Sequence, residues 1–228
     1  MRKRGIVIAI DGPAGSGKST TARCVAGRLG YLYLDTGAMY RALGWSMIRK
    51  GLSPDDESAA AGNAAALEFD FRLEESGQRV LINGEDVTGE IRSADVSDAA
   101  SRVAVHTAVR KILVARQREL GHEGGIVLEG RDTGTAVFPE AELKIFLVAD
   151  VAERARRRHR ELLNCGVAAE LNELMGQIRE RDRRDTATQR RSGSWPASDA
   201  ITVDTTGLDV NAQVARVVEL ARECGVKT

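Results

Sequence analysis

Aromatic residues make up only 4% of this 228-residue chain. Proteins that hold single-stranded nucleic acid commonly stack bases on rings, so the shortage argues against an RNA-binding module. An excess of one charge is also missing: 33 Lys and Arg face 33 Asp and Glu, for a formal net charge of zero. General nucleic-acid binders carry a basic excess, and none is present, so neither nucleic acid nor a membrane surface is an expected partner. No apolar run approaches the roughly 18 residues that a membrane span requires. Cysteine is scarce. Cys24, Cys165 and Cys224 lie far apart and form no CxxC pair, which excludes a disulfide framework or a zinc knuckle as the organising device. The basic stretch Met1-Arg-Lys-Arg-Gly5 leads straight into an apolar run with no signal-peptide core or cleavage site, so the expected location is cytoplasmic. No coiled-coil seam is visible, and a monomer is expected.

The stretch around which the chain is organised is Gly12-Pro13-Ala14-Gly15-Ser16-Gly17-Lys18-Ser19, followed by Thr20. It follows the apolar run Gly5–Ile10 and opens a helical pattern reaching Leu29. A G-x-x-x-x-G-K-[ST] match in a strand–loop–helix context is a phosphate-binding loop. Successive backbone N–H groups form an anion-binding concavity, and the helix N-terminus adds unpaired donors and its dipole. Lys18 can reach the β- and γ-phosphates of a triphosphate, and the Ser19 hydroxyl can ligate Mg²⁺. ATP with Mg²⁺ is the ligand these residues suit.

Apolar runs at Ile6–Ile10, Leu32–Leu34, Ile126–Leu128, Ile145–Val148 and Ile201–Val203 read as five buried parallel strands. Helical patterns separate them, at Lys18–Leu29, Ala38–Arg49, Val96–Leu120, Val151–Leu163 and Val210–Cys224. Alternation of this kind means a parallel sheet covered by helices on both faces. One segment interrupts it. Phe69–Leu73 and Arg79–Ile82 form a hairpin pattern, and Asn83-Gly84 marks a tight turn into Glu85–Thr88. The preceding Ser58–Leu67 is Ala-rich and reads as helix. The expected organisation is a single P-loop domain over residues 1–228. Its core would be 1–63, 96–150 and 198–228, with a small antiparallel insert at about 64–95 and an Arg-rich helical lid at about 151–197.

Ligands of such sheets bind at the carboxyl ends of strands, and polar residues gather there. Asp35-Thr36-Gly37 follows the second strand, with Tyr40 and Arg41 one turn on. A hydroxyl and an arginine at a helix N-terminus suit a second anion, although Asp35 or Thr36 could equally be an ordinary cap. Glu129-Gly130-Arg131-Asp132-Thr133-Gly134 follows the third strand and places Arg131 and Asp132 at its edge. Arg154, Arg156, Arg157, Arg158 and Arg160 crowd one helix, with Arg179, Arg181, Arg183, Arg184, Arg190 and Arg191 beyond. Acidic residues are interleaved, so the segment is either a solvated helix pair laced by ion pairs or a lid whose arginines close over phosphates.

Taken together, IDGPAGSGKST, YLYLDTGAMYRA, NGEDVTGEIR, EGRDTGTAVFP, KIFLVA and IRERDRRD resemble the bacterial cytidylate kinases across nearly the whole chain. The resemblance implies transfer of the ATP γ-phosphoryl group to CMP or dCMP. It implies that Ser101, Arg110 and Asp132 hydrogen-bond the cytosine. Arg181 and Asp185 match lid positions near ribose and phosphates, and Thr36, Tyr40, Arg41 and Arg131 match the surroundings of the acceptor phosphate and sugar. Lys18, Arg41, Arg131 and Arg181 are then the residues expected to carry catalysis. Two features depart from the family pattern. The arginine usual three residues after the lid aspartate is absent, with Thr186-Ala-Thr188 in its place and arginines only at Arg190 and Arg191. Glu129 stands where an aspartate is common.

Sharing one base sets a geometric condition. On a straight helix, Ser101 and Arg110 lie half a turn apart and face opposite ways, so a break is expected near Val105–Thr107, with Thr107 as the second N-cap. The rival readings are a kinase for AMP, UMP or shikimate, which the insert and GRDTGT disfavour, and a P-loop switch protein. The latter needs an Asn-Lys-x-Asp signature that is absent.

Overall fold

The computed structural model describes residues 2–74, 77–164, 166–191 and 196–226, excepting the side chains of 73, 74, 77, 184 and 187–191. In chain order the elements are β1 (Val7–Asp11), α1 (Lys18–Leu29), β2 (Leu32–Asp35), α2 (Thr36–Arg49), α3 (Glu57–Ala66), β3 (Phe69–Glu74), β4 (Gly77–Ile82), β5 (Glu85–Asp86), α4 (Ala94–Val103), α5 (Thr107–Gly121), β6 (Ile126–Gly130), β7 (Leu143–Val148), α6 (Val151–Asn164), α7 (Leu171–Arg191), β8 (Ile201–Asp204) and α8 (Val210–Glu223). Short turns at Glu90–Arg92 (3-10) and Thr133–Val137 (π-helical) complete it. The chain divides into two compact units, Met1–Tyr31 with Gly124–Thr228, and Leu32–Glu123.

The main sheet has five strands in the order β2-β6-β1-β7-β8. β1 pairs in parallel with β6 and β7, and β7 with β8. Every residue of β1 and β6 is buried, which is why both read as unbroken apolar runs rather than alternating ones. All five expected strands are present, each within about two residues of its expected bounds, but not all are buried as expected: at the two edges of the sheet, β8 buries only Val203 and β2 only Tyr33 and Leu34.

The unit Leu32–Glu123 has its own core. Met39, Leu43 and Met47 of α2 meet Val96 and Val103 of α4, Val109 and Leu113 of α5, and Val80 and Ile82 of the hairpin. Gly44 lies where α2 meets α4. A Cβ there would stand 2.9 Å from the Ala100 nitrogen and 3.1 Å from the Ala99 Cβ. The insert is a three-stranded antiparallel sheet, β3-β4-β5. Asn83 (φ 50°) and Gly84 (φ 83°) both adopt left-handed backbone at its turn, as a two-residue hairpin link demands.

The long pattern Val96–Leu120 is broken, as the shared-base condition requires: α4 ends at Val103 and α5 begins at Thr107. The cap differs from expectation. His106, with extended backbone, is the N-cap, and Thr107 is already helical. The reason lies in α3: Glu57 Oε1 accepts the Ala108 N–H at 3.0 Å, while His106 Nε2 lies 2.8 Å from the Pro54 carbonyl. With a neighbouring carboxylate satisfying that donor, no hydroxyl at the N-cap is needed.

Candidate nucleotide-binding site

Between β1 and α1, Gly12, Gly15 and Gly17 all have positive φ (149°, 76° and 93°). Gly12 is obligatory, since a Cβ there would lie 2.1 Å from the Leu147 carbonyl oxygen. The carbonyls of the loop are turned into the protein. Arg154 Nη1 donates to Ala14 O at 3.1 Å, and Thr205 Oγ1 donates to Ser16 O at 3.0 Å. In a trans peptide the N–H points opposite to the C=O, so these ties direct the Gly15 and Gly17 amides away from Arg154 and Thr205. Amides turned in this way are what an anion-binding loop requires.

Lys18 is 5% exposed, and its Nζ donates to Pro13 O at 2.7 Å. Burial is the main influence that lowers its pKa from 10.5 to about 7. Nearby Arg131 and Arg181 push the same way, and Glu129 and Asp11 oppose them. A buried ammonium beside two guanidiniums is short of negative charge, which polyphosphate oxygens would supply. Ser19 is exposed on the first turn of α1, and Thr20 is half-buried.

After β6, Glu129 is 4% exposed. Arg131 Nε donates to Asp185 Oδ2 of α7 at 2.7 Å. Two predicted site residues are thus brought together. Asp132 is the N-cap of the Thr133–Val137 turn, but its side chain makes no capping hydrogen bond. The cap comes from Asp11 at the end of β1. Its Oδ1 accepts Thr133 N (2.9 Å) and Thr133 Oγ1 (2.8 Å), and its Oδ2 accepts Gly134 N (2.9 Å). Burial raises the Asp11 pKa, against the lowering effect of the Gly134 and Thr133 donors.

The Arg-rich helices divide by role. Arg156, Arg158 and Arg183 form exposed ion pairs with Glu153, Glu161 and Glu180, which matches the solvated reading. Arg154 fits neither expectation. It is 4% exposed and donates to Ala149 O, Ala14 O and both oxygens of Asp182. This arginine fastens the phosphate loop to α7. Arg157 is bound to Thr205, through Nη1 to the hydroxyl (3.1 Å) and Nη2 to the carbonyl (2.6 Å). Arg181 is exposed on α7. The side chains of Arg190 and Arg191, either of which was expected to replace the missing lid arginine, lie outside the described residues, as does Cys165.

In the other unit, Asp35 caps α2 by accepting Ala38 N at 3.0 Å and pairs with Arg41 at 2.6 Å. Thr36 is buried in the first turn, and Tyr40 packs against the core. The Asp35 side of the capping alternative therefore holds, with Arg41 folded back on the cap. Ser101 on α4 is exposed, its hydroxyl donating to Ser97 O at 3.1 Å, and Arg110 on α5 is half-buried.

Sequence reading missed Asp11, Arg154 and Thr205. For Asp11 a signal existed, a carboxylate ending a buried strand, since buried charges require partners. Arg154 is indistinguishable in sequence from its solvated neighbours.

Among the described residues, no cluster of three or more His, Cys, Asp or Glu is arranged to hold a metal, and no helix is long and apolar enough to cross a membrane. Cys24 and Cys224 are free thiols.

Comparison with known proteins places this geometry in a family. The chain is 47% identical over 221 residues to a cytidylate kinase of Geobacillus sp. (strain WCH70), covering 97% of this chain and 98% of that protein. It is 48% identical over 219 residues to a bifunctional pantoate ligase/cytidylate kinase of Synechococcus sp. (strain CC9902), covering 95% of this chain but only 45% of that longer protein. A solved structure of an uncharacterized protein from Eubacterium ventriosum ATCC 27560 superposes with a TM-score of 0.54 at 10% identity, over 95% of this chain and 98% of that one. At that identity the likeness speaks for the fold alone. The cytidylate kinase family profile matches residues 8–223, and the chain belongs to the cytidylate kinase family.

Proposed function

We propose that the protein transfers the γ-phosphoryl group of ATP to CMP or dCMP, giving ADP and CDP or dCDP. The carrying observation is the family match over residues 8–223, whose P-loop here holds a buried lysine among arginines. In this reading, residues 12–20 hold ATP, and Thr36, Tyr40, Arg41, Ser101, Arg110, Arg131, Asp132, Arg181 and Asp185 hold the CMP.

A phosphate monoester has a second pKa of about 6, so the acceptor arrives largely dianionic at pH 7. No general base is required, and His106 and His122 are already bound to backbone carbonyls. The barrier is the approach of two polyanions in line, and catalysis is positioning with charge neutralisation by Lys18, Arg41, Arg131 and Arg181. Mg²⁺ usually keeps few protein ligands and shares substrate phosphates. The exposed Ser19 hydroxyl suits that mode, and the ion would neutralise charge on the ATP oxygens. Cytosine offers an N4 donor where uracil offers an O4 acceptor, so a carboxylate at Asp132 accepts from the first and opposes the second. Incubation with ATP labelled in its γ-phosphate tests the reading directly. Label should move to the β-position of CDP, and label found only in inorganic phosphate would contradict it.

A further inference from the structure

Asp11 stands at a junction that the proposed chemistry does not itself use. It ends β1, next to the phosphate loop, yet both of its oxygens are engaged by residues more than a hundred positions away. The first N–H groups of a helical turn need acceptors, and the residue at the N-cap ordinarily supplies one from its own side chain. Asp132 occupies that N-cap and makes no such bond. Asp11 performs the capping in its place, with three hydrogen bonds of 2.8–2.9 Å from Thr133 and Gly134. The Asp132 carbonyl, in turn, accepts the Thr135 and Ala136 N–H groups at 3.2 and 2.8 Å. The backbone from the Asp132 carbonyl to Gly134 is therefore fixed, while the Asp132 carboxylate is not used to cap its own turn.

We infer that Asp11 is a positioning residue for acceptor-base selection: its carboxylate caps the Thr133–Gly134 turn and so sets the direction of Asp132. This rests on the reading that Asp132 faces the cytosine. The carboxylate form is essential. Oδ1 and Oδ2 both accept, so an amide must present its NH₂ to at least one donor, either the Gly134 N–H or the Thr133 pair. The turn must then shift, and a misplacement of about 1 Å at a positioned group can cost on the order of a hundredfold in rate.

The test compares kcat/KM for CMP with kcat/KM for UMP, because a ratio between two acceptors is blind to losses shared by both. Asp132→Asn tests the underlying reading. If the CMP-to-UMP ratio does not move in that variant, the base-reading assignment fails, and this inference with it. If it does move, Asp11→Asn should lower the ratio by about tenfold or more. An equal loss on both acceptors, or no loss, would show that Asp11 is merely structural and overturn the inference. Should Asp11→Asn fail to fold by circular dichroism, the Thr133 pair decides the matter. Thr133→Val removes one donor to Asp11 and should lower the ratio, while Thr133→Ser keeps the hydroxyl and should preserve it. Two Thr133 variants that behave alike overturn the inference.

Discussion

Lys18 shows how a single residue acquires its function from its surroundings. A free lysine is charged throughout the neutral range. Here burial, with Arg131 and Arg181 nearby, brings its pKa down to about 7. The folded value is the depressed one, so the unfolded chain binds more protons between about 7 and 10.5. Over that window the contribution of Lys18 to stability improves as pH rises, and below it the full penalty of the buried cation applies. Polyphosphate reverses the balance by favouring the ammonium. At pH 8, binding of Mg·ATP should therefore take up close to one proton, measured by calorimetry in two buffers of different ionisation enthalpy. Lys18→Met should abolish the uptake, and an unchanged proton count in that variant would show that the lysine is not the group involved. Lys18→Ala should act mainly on the rate of transfer, and a kcat within about threefold of the parent would remove it from the catalytic group. Asp132→Ala should reduce turnover of CMP far more than it weakens ATP binding, as read from separate KM and Kd values.

At the scale of elements, packing decides which of several similar residues matter. α6 and α7 carry arginines in nearly interchangeable sequence contexts, yet Arg154 reaches both the Ala14 carbonyl and Asp182, while Arg156, Arg158 and Arg183 pair with glutamates at the surface. Periodicity could not single it out, because the choice depends on where the phosphate loop lies. Asp182→Asn leaves a buried guanidinium with weaker acceptors, and should cost about 1–3 kcal/mol of stability in denaturant titration. The α2–α4 packing is equally specific. Gly44→Val places side-chain atoms against Ala99 and Ala100, with an expected loss of about 1–3 kcal/mol. A midpoint unchanged from the parent would mean that α4 yields easily. The break between α4 and α5 was legible because the resemblance implied that Ser101 and Arg110 share a base, which a straight helix does not permit. The cap that makes the break was not, since Glu57 lies 51 residues from the amide it accepts.

For the molecule as a whole, the sequence announces the parallel sheet through four apolar runs and the interrupted Ile201-Thr202-Val203, and the phosphate loop through its glycines, because these are local patterns. Legibility fades where function depends on residues distant along the chain. The Asp11 cap and the Thr205 and Arg154 ties to the phosphate loop are all long-range, and no spacing rule reveals them. The resemblance supplied the roles proposed for Ser101, Arg110 and Asp185, which no motif would have suggested alone. The central claim is ATP-driven phosphorylation of an acceptor chosen by its cytosine. The most direct check is kcat/KM with Mg·ATP for CMP, dCMP, UMP, AMP and GMP under identical conditions. CMP and dCMP should exceed every other acceptor by at least about a hundredfold. A preference for UMP or a purine monophosphate, or turnover indifferent to the base, would contradict the account.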